Sequence, residues 1–199
     1  MGNKTVKLSE IAHIESGFSA KGAIGHEPDG THQVIMGKHL NPGEPYHYES
    51  EHELRMSPGR LADKYLLAPD DILFTSRGTS NFPVVLKDFP QPAIAPSTFY
   101  VIRTKQTVLP DYLAWAMCQD PFQLQLKDIR VGSGTLMVSR TGLDDLTIPL
   151  PPLEMQEKIV RLGELMQRER KLRRDLLDET ERLQMALGRK ILQSITDSQ

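Results

Sequence analysis

The chain has 199 residues, 39% of them hydrophobic and 25% charged, with a formal net charge of −2. That length suits one compact domain with an appendage rather than two domains of ordinary size, and the charge lacks the overall basic excess common among nucleic-acid binders. A single cysteine, Cys118, excludes an internal disulfide framework and any multi-cysteine metal site. No stretch approaches the roughly 18 apolar residues of a membrane span, and the polar start Met1 to Lys7 is not followed by the apolar run of a signal peptide. The expected location is therefore the cytoplasm.

From Met1 to about Leu150 the chain alternates short apolar runs with Gly, Pro, Asn and Asp punctuation. Examples are His32-Gln33-Val34-Ile35-Met36 before Gly37, and Asp71-Ile72-Leu73-Phe74 before Arg77-Gly78. Such runs predict short strands joined by loops. One helical segment interrupts them: after Leu109-Pro110, with Pro110 and Asp111 as start signals, Tyr112, Leu113, Trp115, Ala116, Phe122, Leu124 and Leu126 recur near helical spacing. Residues 1–150 hold 14 Lys or Arg against 17 Asp or Glu, so any anion-binding surface on this part must be a local basic patch.

At Ile148-Pro149-Leu150-Pro151-Pro152 the character changes. Prolines without an N–H predict an extended linker there, and a domain boundary. Beyond it, Leu153 to Ile195 has no proline and two glycines, Gly163 and Gly188. Ile159, Leu162, Leu165, Met166, Leu172, Leu176, Leu183, Leu187 and Ile191 fall three or four apart, which traces one stripe along a helix roughly 60 Å long. The seam is imperfect, interrupted by Glu169 and Thr180. A helix of that length exceeds what so small a domain can cover, so the stripe is expected to pack on a partner helix in a coiled coil; the simpler alternative is a lone amphipathic helix folded back on its own domain. The expected fold class is α+β: a mixed α/β domain over 1–150, then a long helix over 151–199.

The junction Leu146-Thr147-Ile148-Pro149-Leu150-Pro151-Pro152-Leu153-Glu154-Met155-Gln156-Glu157-Lys158-Ile159-Val160 resembles the entry to the helical region of type I restriction-modification specificity subunits, where two prolines precede a helix beginning L-x-x-Q-x-x-I. The prolines set the angle at which the helix leaves, and Gln156 in the first turn can reach back to an orphan backbone group. Further stretches match in the family's order: Lys7-Leu8-Ser9-Glu10-Ile11-Ala12 with Gly17, then Leu66 to Thr79, then Leu109-Pro110-Asp111-Tyr112-Leu113 before Gly132-Ser133-Gly134. Pro69-Asp70-Asp71 stands where many relatives have a glycine, but a turn there needs only Pro and Asp. Family members resemble two tandem copies of target-recognition domain plus helix. This sequence has one, as a natural half-length subunit or a piece of a longer protein.

The resemblance implies a non-catalytic, sequence-specific DNA-recognition subunit of a phage-defence system. It implies double-stranded DNA, methyltransferase (modification) subunits and a translocating restriction subunit as partners, with homodimerisation through the helix. No cofactor and no metal are expected. The residues agree: Asn41-Pro42-Gly43-Glu44 lacks the second proline and aromatic of an amino-methyltransferase motif, and Val85-Leu86-Lys87 lacks the acid of a metal-nuclease motif. All six histidines lie between His13 and His52, but the spacings of His26, His32, His39, His47 and His52 match no zinc pattern. Ser76 and Ser97 lack a nucleophile elbow.

Three loops carry side chains suited to reading DNA beside glycine: Ser16 to Gly22, Ser76 to Asn81, and Arg130 to Thr135 running on to Thr141. Arg and Lys pair with guanine, Asn with adenine, and hydroxyls with phosphate, while glycine lets backbone approach a duplex. The candidate DNA contacts are Lys21, Lys38, Arg77, Thr79, Ser80, Asn81, Arg130, Ser133, Thr135 and Arg140. The competing explanation is ordinary turn chemistry, with Arg77 and Arg140 paired to nearby acids. The rival function is an adaptor that oligomerises through its helix and binds protein instead of DNA.

Overall fold

The computed structural model describes residues 4–20, 22–59, 62–132 and 136–196, and the chain divides into two units, Met1–Val160 and Arg161–Gln199. In chain order the elements are β1 (Lys4–Lys7), α1 (Leu8–Ile11), β2 (Ala12–Ser16), β3 (His32–Val34), β4 (Tyr46–His47), β5 (Arg55–Met56), β6 (Ile72–Thr75), β7 (Pro83–Asp88), β8 (Ala93–Ile94) and β9 (Phe99–Thr104). There follow α2 (Pro110–Met117), α3 (Asp120–Asp128), β10 (Arg130–Val131), β11 (Met137–Val138), α4 (Arg140–Asp145), β12 (Thr147–Leu150) and α5 (Leu153–Thr196). The fold is α+β, ending in a long helix.

A five-stranded sheet in the order β2-β9-β6-β7-β4 forms the centre, antiparallel except for the β4/β7 pair. Its runs Ile72-Leu73-Phe74 and Val84-Val85-Leu86 are apolar at every position because both faces are covered: successive side chains point to opposite sides of a strand. Ile72, Phe74, Val85, Tyr100 and Ile102 enter one core with Leu8, Tyr112, Leu113, Phe122 and Leu143 from the helices. Leu73, Val84, Leu86, Phe99 and Val101 enter a second core with Ile35, Leu40, Tyr46 and Leu67, beside the small sheet β5-β3-β8. Each fully buried aliphatic or aromatic side chain contributes roughly 1.5–3 kcal/mol, so the central strands hold both layers together.

The helical segment after Pro110 is two helices, not one. It breaks at Cys118-Gln119, and Pro121 stands in the first turn of α3, where its missing N–H costs nothing. Nor is Ile148-Pro149-Leu150 only a linker: Thr147–Leu150 pairs antiparallel with β1, Pro149 opposite Thr5. A two-stranded ribbon tolerates a proline whose ring nitrogen faces off the ladder, and the Pro149 carbonyl accepts the Tyr112 hydroxyl at 2.7 Å.

Gln156 is fully buried. Its Oε1 accepts from the Leu109 N–H at 2.9 Å, and its Nε2 donates to the carbonyls of Pro151 and Thr107 at 2.8 and 3.1 Å. The side chain thus ties the first turn of α5 to both the prolines and the domain. The compact unit accordingly continues past the prolines, and Ile159, expected on the partner seam, packs with Val160 against the core of the domain.

In the second unit the described residues form one uninterrupted helical stretch to Thr196. Leu162, Leu165, Met166, Leu172, Leu176, Leu183, Leu187 and Ile191 are all exposed. Glu169–Arg173 and Glu179–Arg182 pairs, each at 2.6 Å, support the polar face, and the Thr180 hydroxyl donates back to the Leu176 carbonyl. No helix among the described residues is long and apolar enough to cross a membrane.

Candidate nucleic-acid interface

Antiparallel pairing brings the ends of four strands to the same edge of the central sheet: Ser16 lies opposite Tyr100, Thr75 opposite Phe99, and Phe74 opposite Pro83. The loops that leave these ends are stitched together by backbone bonds around segment 95–99. Phe18 N–H donates to the Ala95 carbonyl at 2.7 Å, Ser97 N–H to the Phe18 carbonyl at 2.8 Å, and Ser76 N–H to the Thr98 carbonyl at 2.9 Å. The β10/β11 ribbon joins on the far side, through Val138 N–H to the Ser76 carbonyl and Gly78 N–H to the Leu136 carbonyl, both at 2.9 Å. Three loops distant in sequence thus share one surface.

Within this cluster Arg77 and Arg140 are exposed, and both act electrostatically on Tyr100. The Tyr100 hydroxyl donates to the Val138 carbonyl at 2.8 Å; burial lifts its pKa above the ordinary phenol value, and the two arginines pull against that rise. Arg140 also pairs with Asp144 at 3.2 Å, an exposed helical pair that contributes only a few tenths of a kcal/mol. Arg130 is half-buried, and its buried Nε has no partner among the described residues. Thr79 and Ser80 are exposed at the loop tip.

Asn81 is corrected from a base-reading residue to a structural one. It is buried, and its Nδ2 donates to the Thr75 carbonyl at 2.7 Å, so the amide closes the 76–81 loop instead of facing outward. Lys38 is exposed on the short turn 37–39 beside buried His39, and its described contacts do not tie it to the strand-end loops. Lys21, Ser133 and Thr135 lie outside the described residues. Gly17 also has a different reason from the one expected. A Cβ there would stand 2.4 Å from the Pro96 carbonyl oxygen, so the glycine permits loop-to-loop packing. Gly78 does serve the turn, at φ 100°, where L side chains are strained.

Arg140 also lines an open cleft of about 410 Å³, together with Ile14, Glu15, Ser16, Lys64 and Tyr65. Phe18 meets Tyr65 edge to face at 5.5 Å, and the Lys64 ammonium sits 4.7 Å from the Tyr65 ring centre. Glu15, the acid of the lining, is engaged by Arg103 at 2.7 Å. Lys64 and Tyr65 were not singled out from sequence because no glycine marks their segment; an adjacent cation and aromatic is their only signal.

Away from this edge, His39 and His52 stack at 4.7 Å, and the Tyr46 ring lies 5.6 Å from His52. Burial first, then the neighbouring His52 and Lys38, push the His39 pKa down to about 4. His47 faces Asp88 at 2.9 Å. Among the described residues no group of three His, Cys, Asp or Glu side chains is placed to hold a metal ion.

This chain, with its cationic loops at one sheet edge, matches one family model, type I restriction modification DNA specificity domain, over residues 2–173. The chain belongs to that family. Comparison with curated protein sequences gave no match. Among solved structures, it is similar to the HsdS subunit from Thermoanaerobacter tengcongensis, with 19% identity and a TM-score of 0.59 over 83% of this chain and 37% of that one. It is also similar to the S subunit of a type I restriction-modification system from M. genitalium, with 10% identity and a TM-score of 0.53 over 80% of this chain and 37% of that one. A third is a chain from a study of complex assembly and conformational transition of the type I R-M system, with 17% identity and a TM-score of 0.60 over 83% and 38%. These likenesses concern the fold, and this chain spans well under half the length of each of those proteins.

Proposed function

We propose that the globular unit reads duplex DNA sequence with the loops at the strand ends, as the recognition part of a type I restriction-modification complex. The observation that carries this is the gathering of exposed Arg77 and Arg140, with Thr79 and Ser80, on one surface of a chain from the DNA specificity domain family. Arginine forks suit guanine and phosphate, and hydroxyls at a loop tip suit phosphate. Local placement matters more than net charge here, since the body as a whole is acidic.

The chain itself supplies position, and the methyl transfer belongs to modification subunits docked beside it. The exposed stripe of residues 162–191 supports a pairing role for the helix, as a coiled coil between two copies of the chain. Two copies related by a two-fold axis read a two-fold sequence, so the target is an interrupted palindrome: two inverted half-sites separated by a spacer of any sequence. Mapping methylated adenines across the genome of a host that carries this chain as its only specificity subunit tests the proposal. Four residues inserted after Thr180 lengthen the helix by about 6 Å and should add one or two base pairs, at about 3.4 Å each, between unchanged half-sites. An asymmetric bipartite site would show that a second, different recognition domain is required, and loss of salt-dependent duplex binding would favour the adaptor reading.

A further inference from the structure

Apart from its polar groups, the strand-end surface carries two exposed apolar side chains in a defined row. Val131 and Met137 are directly opposite each other in the β10/β11 ribbon, and Arg77 bridges Met137 from the other side. Residues opposite one another across a β-ladder or bridge share a face, so Val131, Met137 and Arg77 form one line across the two-stranded ribbon and the bridged segment beside it. The adjacent pair, Arg130 opposite Val138, points the other way, and Val138 is completely buried. Val131 is 59% exposed and Met137 38%. The outward row is thus two apolar side chains followed by a cation, with Arg140 on the next helix.

Resting on the DNA-reading function above, we infer that this row enters the major groove, where Val131 and Met137 pack on the C5-methyl groups of thymine and so act as specificity-determining residues. Three paired backbone segments spaced about 4.8 Å apart make a row about 10 Å wide, which fits the roughly 12 Å major groove and not the roughly 6 Å minor groove. The major groove is also where the thymine methyl, an apolar group on the base edge, is presented. The charge pattern complements that site: Arg77 continues the row as a guanidinium, able to meet a guanine edge or a phosphate at the groove wall. A pair of apolar side chains discriminates thymine from cytosine without a hydrogen bond, a readout that a search for polar loop residues passes over.

The test uses the full chain and duplexes enriched from a random library to define the sequence bound. Each thymine is then replaced in turn by uracil, which removes only the methyl group. Binding should weaken about fourfold at one or two positions, the equivalent of one buried methyl at about 0.8 kcal/mol. The Val131→Ala, Met137→Ala double variant should bind the thymine duplex correspondingly less well, ignore the uracil replacement and keep the wild-type salt dependence. Sequence-specific binding indifferent to every uracil would overturn the inference while leaving DNA recognition intact. So would uracil sensitivity that survives the double substitution, or a duplex unstacked by these two residues in the minor groove. Absence of any sequence-specific binding would remove both.

Discussion

Ile72-Leu73-Phe74 and the trio Leu162, Leu165 and Met166 are equally apolar, yet the first three are completely buried and the second three are 49–60% exposed. The strand run is apolar at consecutive positions because two cores, one on each face, require it. The helix run is apolar at every third or fourth position because one stripe requires it, and Ile159 and Val160, within the first unit, pack against the core of the body. The first pattern is buried in the chain's own cores, whereas the described stripe residues from Leu162 on are exposed. The proposed pairing is therefore tested on residues 161–196, and stability on the body.

The largest effect should come from breaking the stripe. Leu176→Asp with Leu183→Asp places a charge at each of two seam positions, where desolvation without a partner costs several kcal/mol. Sedimentation should then show monomers. Emission of Trp115, the single tryptophan and a residue packed against the core of the body, should be unchanged. An unaltered oligomer would show that the seam is not what holds the copies together.

A smaller effect should come from the first turn of the helix, within the body's own unit. Gln156→Leu keeps the side-chain bulk but leaves the Leu109 N–H and the carbonyls of Thr107 and Pro151 without the partner each now has. Stranding buried polar groups costs about 1–3 kcal/mol each where water cannot replace the bond, so with three groups stranded the body should lose at least about 3 kcal/mol in denaturant titrations followed by Trp115. A loss below 1 kcal/mol would mean that solvent reaches these groups.

What was legible in the sequence follows the same division. The Pro-Pro-Leu-x-x-Gln junction, the long helix and the strand–loop alternation could be read because each depends on neighbours within a few residues. The turn Pro69-Asp70-Asp71 was legible too: Asp70 takes φ 69°, a conformation glycine adopts freely and aspartate tolerates. The role of Asn81 was not, since whether an amide faces outward or closes its own loop depends on the Thr75 carbonyl beside it in space. Pro149 was misjudged for a similar reason: a proline excluded from a central strand is acceptable in a ribbon whose partner, β1, lies at the opposite end of the domain sequence. The sequence marked the loops around Arg77 and Arg140 as candidates but not that they share one surface, because the 95–99 segment that joins those loops has no motif of its own.

The last contrast concerns pH. The helical stretch from Arg161 contains no histidine, whereas the body buries His39 against His52 with its pKa held down to about 4, against 6.5 ordinarily. Folded His39 is therefore neutral through a range in which the unfolded chain takes up a proton. Between about pH 6.5 and pH 4 the unfolded state binds more protons, so stability must fall as pH is lowered through that window and change no further on this account below it. The shift corresponds to at most about 3 kcal/mol, reached only near the bottom of the window, and it is close to zero at neutral pH. His39→Asn offers an amide oxygen to the Met36 N–H that His39 Nδ1 now accepts, removes the titrating ring, and gives up the stack on His52 as a loss independent of His39 ionisation. Measured against wild type in urea at several pH values, the variant should be less stable at pH 7 and should gain on wild type steadily as the pH approaches 4. A difference that stayed constant with pH would show that the folded body already accommodates a charged His39.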